Sequence, residues 1–127
     1  MKEHIRQINK DAEFYTAEHC YINELSNCDD DPDVSIAQAR VLAGVTTRWH
    51  YLNEITERYV IIEGCGLVEV GNSVAQQVGP GDVVIIPPQC NQRITNTGVS
   101  DLVFLAICNP RFKLEAYNDS EDDLQPY

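Results

Sequence analysis

Residues 44–64 read GVTTRWHYLNEITERYVIIEG, and residues 81–96 read GDVVIIPPQCNQRITN. A glycine opens and closes the first stretch, which holds His50 and Glu57. A glycine also opens the second stretch, in which a Pro-Pro pair ends an apolar run and Asn96 comes last. β-Branched and apolar residues bounded by glycine and proline are typical of strands between turns. The two stretches therefore predict neighbouring β-strands.

The rest of the chain extends the same pattern. Short apolar or alternating runs, separated by turn residues, predict strands at 14–25, 34–43, 47–52, 57–63, 67–70, 73–78, 83–86, 92–97 and 101–108. Glycine-rich segments at 63–66 and 70–73 predict hairpin turns. Many short strands with little helix indicate a β-sandwich or barrel. Residues 111–117 predict two helical turns after the last strand.

Length, charge and cysteine usage narrow the class of protein. A chain of 127 residues predicts one domain. Its formal charge of −11 disfavours nucleic acid and anionic membrane surfaces as partners. No apolar run reaches the roughly 20 residues of a membrane span, and the first residues show no signal-peptide core. Five cysteines without a CxxC pair favour reduced thiols, so we expect a cytoplasmic protein.

The two opening stretches resemble the motifs of the cupin superfamily, G-x5-H-x-H-x3,4-E-x6-G and G-x5-P-x-G-x2-H-x3-N. The residues that keep the motif spacing are Gly44, His50, Glu57, Gly64, Gly81, Pro87 and Asn96. The second and third histidines and a glycine are replaced by Leu52, Gln92 and Gln89. The chain is most similar to small single-domain type 2 cupins labelled sugar-phosphate or mannose-6-phosphate isomerase-like.

The resemblance covers residues 34–110 and implies an all-β fold, the cupin double-stranded β-helix, which is a jelly-roll-like barrel. We expect short N-terminal strands before this motif core and a short helical turn or tail after it. Residues 1–127 then form a single cupin domain, with an N-terminal arm at 1–13 and an acidic C-terminal tail at 118–127.

Strand alternation groups the candidate site residues, since every second side chain shares a face. If the resemblance holds, these faces point into the barrel and bring together an imidazole, a carboxylate, amides, a guanidinium and a phenol. We expect His50 and Glu57 to be catalytic, and the substrate-binding residues to be Arg48, Tyr59, Gln92 and Asn96. Arg48 is equally compatible with a rim position beside Glu54 or Glu57.

A divalent metal is the cofactor that the resemblance implies, because cupins commonly carry one on their motif histidines and glutamate. The remaining candidate ligands are His50, Glu57 and the amide oxygen of Gln92, for Zn, Mn, Ni or Fe. This set falls short of the two-histidine, one-carboxylate triad of non-haem iron. Alternatively, His50 and Glu57 simply satisfy each other.

Three functions follow from the resemblance. The first is binding of a small polar metabolite, such as a sugar phosphate, with isomerisation by proton transfer next to a carbonyl. Glu57 or His50 would then be the base, and a metal or Arg48 would stabilise the enediolate. The second is a non-enzymatic ligand-binding or sensor module, and the third is a metal-dependent dioxygenase or lyase. The missing histidines disfavour the third, and the sequence does not separate the first two.

Trp49 and Tyr51 alternate with the predicted cavity residues and should lie on the outer face of the barrel. An exposed aromatic patch indicates an interface. Because small cupins are commonly dimers, we expect a homodimer.

Overall fold

The structure, a computed structural model, describes residues 1–121, and strands dominate them. The eleven strands are β1 (Phe14–Tyr15), β2 (Tyr21–Ser26), β3 (Ser35–Val41), β4 (His50–Leu52), β5 (Thr56–Glu63), β6 (Gly66–Val70), β7 (Gln76–Val78), β8 (Val83–Ile86), β9 (Gln92–Asn96), β10 (Leu102–Asn109) and β11 (Tyr117–Asp119). The helical content is two 3-10 turns, at Lys10–Ala12 and Leu114–Ala116. The predicted all-β class is therefore confirmed.

The strands form two antiparallel sheets. One has the order β1-β2-β3-β10-β5-β8, and the other has the order β11-β4-β9-β6-β7. Consecutive strands such as β3 and β4, or β5 and β6, lie in different sheets, so the chain passes back and forth between them. This arrangement is the double-stranded β-helix. It places the opening sequence stretches, β4 to β5 and β8 to β9, on both walls of one barrel.

The core explains why these segments form strands. On β5, the buried positions are Glu57, Tyr59 and Ile61, and less buried residues alternate with them. On β9, Gln92, Ile94 and Asn96 are buried in the same alternation. The main apolar cluster includes Val41, Ile61, Ile86, Ile94, Leu102 and Phe104. A smaller cluster at the other end contains Leu52, Ile55 and Cys108.

The predicted hairpin at residues 63–66 is wrong. β5 and β6 belong to different sheets, so this segment carries the chain from one sheet to the other. Gly64 has φ +80°, and a Cβ there would lie 2.6 Å from the carbonyl oxygen of Asp101. The glycine is required by this close crossing and by its left-handed backbone. The predicted turn at residues 70–73 does lie between paired strands, β6 and β7.

Several element boundaries differ from the predictions. β4 begins at His50 and β7 at Gln76, three residues later than predicted in each case. Residues 111–117 contain one 3-10 turn instead of two helical turns. The first residues of the predicted acidic tail form β11, which pairs with β4. Residues 122–127 of that tail lie outside the described residues. Within residues 1–121, no helix is long and apolar enough to cross a membrane.

Candidate functional site

A cavity of about 290 Å³ opens between the sheets at the end of the barrel where the smaller core cluster lies. Its walls come from β2, β3, β10 and β5 of one sheet, the last of which contributes Glu57, and from β4 of the other sheet. Residues 14–18 and 112–119, from the two ends of the chain, complete its mouth. The volume lies near the lower end of the roughly 300–1,000 Å³ of small-molecule sites. The cavity is thus large enough for a small ligand.

Glu57 lies at the buried side of this cavity and is 8% exposed. Its Oε2 accepts from the Cys108 thiol at 3.8 Å, a contact that follows from the pairing of these two residues between β5 and β10. Its Oε1 is buried and makes no hydrogen bond of ordinary geometry among residues 1–121. The Gln92 amide is near enough to lower the pKa of Glu57. Burial raises the pKa of Glu57 to about 7, although His50 lowers it. The carboxyl group is therefore able to exchange a proton near neutral pH.

His50 is the second polar group of the inner cavity and is 3% exposed. Its Nδ1 lies 2.9 Å from the carbonyl oxygen of Arg48. Because a carbonyl only accepts, Nδ1 carries the proton, and Nε2 of the neutral ring is left as an acceptor. The Glu18 carboxylate lies 3.5 Å from the same Nδ1, and the Tyr117 ring stacks on the imidazole at 5.1 Å between centroids. These contacts fix the orientation of the ring.

Gln92 and Tyr59 are buried behind the cavity wall. Gln92 pairs with His50 between β9 and β4. Its Oε1 accepts a hydrogen bond from the Tyr59 hydroxyl, and its Nε2 has no partner in the described part of the chain. Burial, with the nearby Glu57 charge, holds the pKa of Tyr59 well above its usual value. Tyr59 therefore orients the Gln92 amide so that its NH2 group is left for Glu57, whose pKa it lowers. Neither Gln92 nor Tyr59 is among the described residues that line the cavity.

Asn96 does not reach this cavity. Its Nδ2 donates to the carbonyl oxygens of Val41 and Ser100, both at 2.8 Å, and its Oδ1 accepts from the Gly98 amide at 2.9 Å. The predicted role in substrate binding does not fit this geometry, because these backbone groups occupy the amide. Asn96 instead holds the turn between β9 and β10.

We expect Asn96→Ala to lower the free energy of unfolding by about 2 kcal/mol, because buried backbone groups lose their partners. Asn96→Asp should be worse, since it places a carboxylate against two carbonyl oxygens. Urea denaturation measures both effects, with Asn72→Ala, at an exposed position, as the control. Wild-type stability in Asn96→Asp would contradict this role.

Arg48 lies just before β4 and pairs with the terminal strand. Its Nε donates to Asp119 Oδ2 at 2.7 Å, and Nη2 to Oδ1 at 3.4 Å. The pairing lowers the pKa of Asp119. Among the described residues, Arg48 thus pairs with Asp119 and not with Glu54 or Glu57. Its role as a substrate clamp stays a prediction. Its partner Asp119 is the residue that lines the cavity mouth.

The predicted metal ligands do not fit a metal ion. No group of three histidine, cysteine or acidic side chains within residues 1–121 is placed to hold one. Gln92 was the predicted third ligand. Its amide oxygen accepts a hydrogen bond from the Tyr59 hydroxyl, so the atom without a hydrogen bond is the nitrogen of its NH2 group, which does not bind metal ions. Leu52, at the position of the second motif histidine, is buried in the apolar cluster. His50 and Glu57 alone fall short of the usual three protein ligands.

Sequence reasoning missed several charged and aromatic residues of the site. Glu18 follows β1, Glu24 lies on β2, and Tyr117 and Asp119 lie on β11. Burial raises the pKa of Glu24, and burial together with Glu18 raises that of Tyr117. The pairing of Asp119 with His50 across β11 and β4 brings the C-terminal strand to the site. No motif marks these residues.

The outer side of β4 shows the predicted alternation. Trp49 and Tyr51 are half-buried, whereas His50 and Leu52 are buried. Arg93 covers the Trp49 ring at 4.3 Å, and Tyr51 pairs with Asn118 of β11. The chain itself thus covers part of the predicted aromatic patch, and homodimerisation stays a prediction.

Two antiparallel sheets around a cavity with an inner histidine and glutamate define a small-molecule-binding barrel. The Cupin domain family matches residues 38–108, more than half of the chain, and the chain belongs to this family. An uncharacterized protein of Methanocaldococcus jannaschii is 35% identical over 81 residues, which span 64% of this chain and 64% of that protein.

Solved structures share the fold at low sequence identity. An uncharacterized Klebsiella pneumoniae protein with a double-stranded β-helix domain is 14% identical, with a TM-score of 0.74, over 91% of this chain and 97% of that one. A variant of Streptomyces PAC13 with uridine is 14% identical, with a TM-score of 0.75, over 100% of both chains. Pac13 is described as a nucleoside dehydratase. These likenesses support the fold.

Proposed function

We propose that this cupin binds a small molecule in the cavity and transfers a proton to or from it, with Glu57 as the acid–base group. The observation that carries the proposal is the state of Glu57, which has one unpaired buried oxygen and a pKa raised to about 7. Acid–base catalysis is most efficient when the pKa of the group lies near the working pH. An unpaired buried oxygen is costly unless a ligand or water completes its hydrogen bonds.

His50 complements Glu57 in this role. The Arg48 carbonyl keeps the proton on Nδ1, so Nε2 is able to accept a proton. Glu18, at 3.5 Å from Nδ1, stabilises the imidazolium that would form. His50 Nε2 thus supplies an acceptor in the tautomer that the Arg48 carbonyl favours, and Glu57, with a pKa near 7, supplies a group that is able to take up or release a proton. Such a pair serves reactions in which a proton is removed from one atom and delivered to another.

Isomerisation next to a carbonyl is the reaction that we favour, because it requires these two proton transfers and no metal. Elimination of water also requires two proton transfers. Pac13, whose structure is similar, is described as a nucleoside dehydratase. A metal-dependent dioxygenase or lyase has no support, because the described residues offer no three-ligand set. A phosphorylated substrate also has little support, because no lysine or arginine is among the described residues that line the cavity.

The test is solvent-deuterium exchange, followed by NMR, into a panel of neutral aldoses, ketoses and nucleosides and the phosphates of the same sugars. We expect wild-type protein to speed exchange at a carbon next to a carbonyl, or to release water, for at least one compound. Thermal shift on the same panel measures binding separately. Stabilisation by a compound without exchange or elimination would favour the alternative, a binding module without turnover.

A further inference from the structure

The surface that the described residues give to the cavity is almost wholly apolar. Its apolar side chains come from both sheets and from both ends of the chain: Phe14, Ile22, Leu52, Ala106, Phe112 and Leu114. Phe14 and Leu114 are 50% and 76% exposed, so they continue the apolar surface outwards at the mouth. Sites for small molecules are typically lined in this way, with a few polar groups that fix the orientation of the ligand.

Most polar groups of the lining are already engaged by the protein itself. Asp119 Oδ2 accepts from Arg48 Nε at 2.7 Å. The Glu24 carboxyl interacts with the Asn27 amide. The Ser35 hydroxyl accepts from a backbone amide at 2.9 Å. A polar ligand would have to displace these contacts, which cancels much of what it gains from new ones.

Glu18 is occupied in the same sense. Its Oε1 accepts from the Cys20 thiol at 3.4 Å, and its Oε2 lies 3.5 Å from His50 Nδ1. The Tyr117 hydroxyl also interacts with this carboxylate. Next to it, the Thr16 hydroxyl donates to the Cys20 carbonyl oxygen at 2.9 Å. The polar atoms around the mouth therefore serve the fold, and they leave little hydrogen-bonding capacity for a ligand.

His50 and Glu57 are the polar groups that remain to orient a ligand. Within residues 1–121, the His50 ring forms its hydrogen bond through Nδ1, and Nε2 has no partner. The Glu57 carboxyl lies near enough to feel the His50 charge, and both residues line the cavity. One polar position in an apolar cavity suits a ligand with one polar group. A sugar or nucleoside carries a polar group on nearly every carbon, and each one buried without a partner is costly.

We infer that the ligand of this cavity is a small, largely apolar molecule with a single polar group, which His50 and Glu57 engage. For the proposed proton transfer, this means an apolar ketone or aldehyde instead of a sugar or sugar phosphate. The inference rests on the proposed function, since it assigns a substrate class to the same cavity. The volume of about 290 Å³ equals that of about ten water molecules and suits a single ring with a short alkyl group.

The test compares three probes that share a six-membered ring and a carbonyl group: cyclohexanone, 4-ethylcyclohexanone and tetrahydropyran-4-one. Chemical shifts of backbone amides in ¹⁵N-labelled protein give the dissociation constants at neutral pH. The ethyl group should tighten binding about tenfold, because it buries two more carbon atoms. The ring oxygen of tetrahydropyran-4-one should weaken binding about tenfold relative to cyclohexanone, because it is buried without a donor. D-Xylose, a sugar of the same ring size, should give no saturable shift.

Matched variants assign the preference to the cavity. Leu114→Ser changes an exposed side chain at the mouth, so the fold should be kept, and it should reduce the gain from the ethyl group several-fold. Ala106→Leu fills part of the cavity and should weaken 4-ethylcyclohexanone more than cyclohexanone. The controls are Val99→Ser and Ala75→Leu, which make the same changes at exposed positions outside the cavity and should leave binding unchanged.

Three results would overturn the inference. They are equal affinities for cyclohexanone and tetrahydropyran-4-one, equal effects of the cavity variants and their controls, and the absence of a saturable shift with any of the ketones. Binding of D-xylose more tightly than cyclohexanone would also contradict it.

The two proposals fail separately, because binding of the ketones and deuterium exchange next to their carbonyl groups are measured independently. Preferential binding of the apolar ketones without exchange would reject the enzyme and support the apolar site. Exchange into a sugar, without saturable binding of the ketones, would overturn the apolar site and support the enzyme.

Discussion

Replacing Glu57 by glutamine is expected to slow proton exchange into the substrate by about 10²–10⁴-fold, the usual contribution of a positioned general base or acid. Glutamine keeps the size of the side chain and one acceptor oxygen, but it neither gains nor loses a proton in this pH range. Affinity should change much less than the rate, by no more than the roughly 1.5–3 kcal/mol of one charged hydrogen bond. Single-turnover exchange measured by NMR, beside a binding titration of the same compound, separates the two effects.

The pH profile adds a second criterion. If Glu57 acts as the base, exchange by wild-type protein should fall as the pH drops below about 7, since the carboxylate is then protonated. The residual rate of Glu57→Gln should lack this step. Glu63→Gln, on the same strand but exposed, serves as the control and should keep the wild-type rate and profile. Equal losses of rate and affinity in Glu57→Gln would indicate a binding residue and contradict the catalytic role.

The inner part of the site could be predicted from the sequence because it depends on short-range order. A strand alternates its side chains over two residues, so the burial of His50 with Leu52, and of Glu57 with Tyr59, follows from position alone. The family motif then supplied the pairing of these strands across the barrel. What the motif did not supply is how Gln92 is oriented, because the Tyr59 hydroxyl decides which end of its amide is unpaired.

The mouth of the cavity could not be predicted, because it is assembled from the two ends of the chain. Glu18 and Asp119 are about 100 residues apart, and both reach His50 through long-range packing. Neither has a local pattern that distinguishes it from the many other acids of a chain with a formal charge of −11. Asn96 differs from these acids, because the motif marks its position but does not reveal its role. Its side-chain amide forms hydrogen bonds with backbone groups of Val41, Gly98 and Ser100.

The raised pKa of Glu57 has a consequence for stability that is independent of any substrate. A carboxyl group with an ordinary pKa of 4.5 in the unfolded chain and about 7 in the folded chain holds its proton more tightly in the folded state. Between these pH values the folded state binds more protons than the unfolded state, so this group makes the free energy of unfolding fall as the pH rises. The destabilising effect of Glu57 ionisation is absent below pH 4.5 and complete above pH 7.

Glu57→Gln removes this ionisation and should therefore stabilise the protein at high pH. The shift from 4.5 to about 7 corresponds to an advantage over wild type of about 3 kcal/mol at pH 8, which should vanish near pH 4.5 apart from a constant packing difference. Urea denaturation followed by the fluorescence of Trp49 gives the free energy of unfolding at each pH. The Glu63→Gln protein controls for the loss of one negative charge. Because the prediction concerns a difference between proteins, other titrating groups cancel. A stability difference between Glu57→Gln and wild type that is the same at pH 5 and pH 8 would mean that Glu57 ionises normally, and would remove the basis for its proton-transfer role.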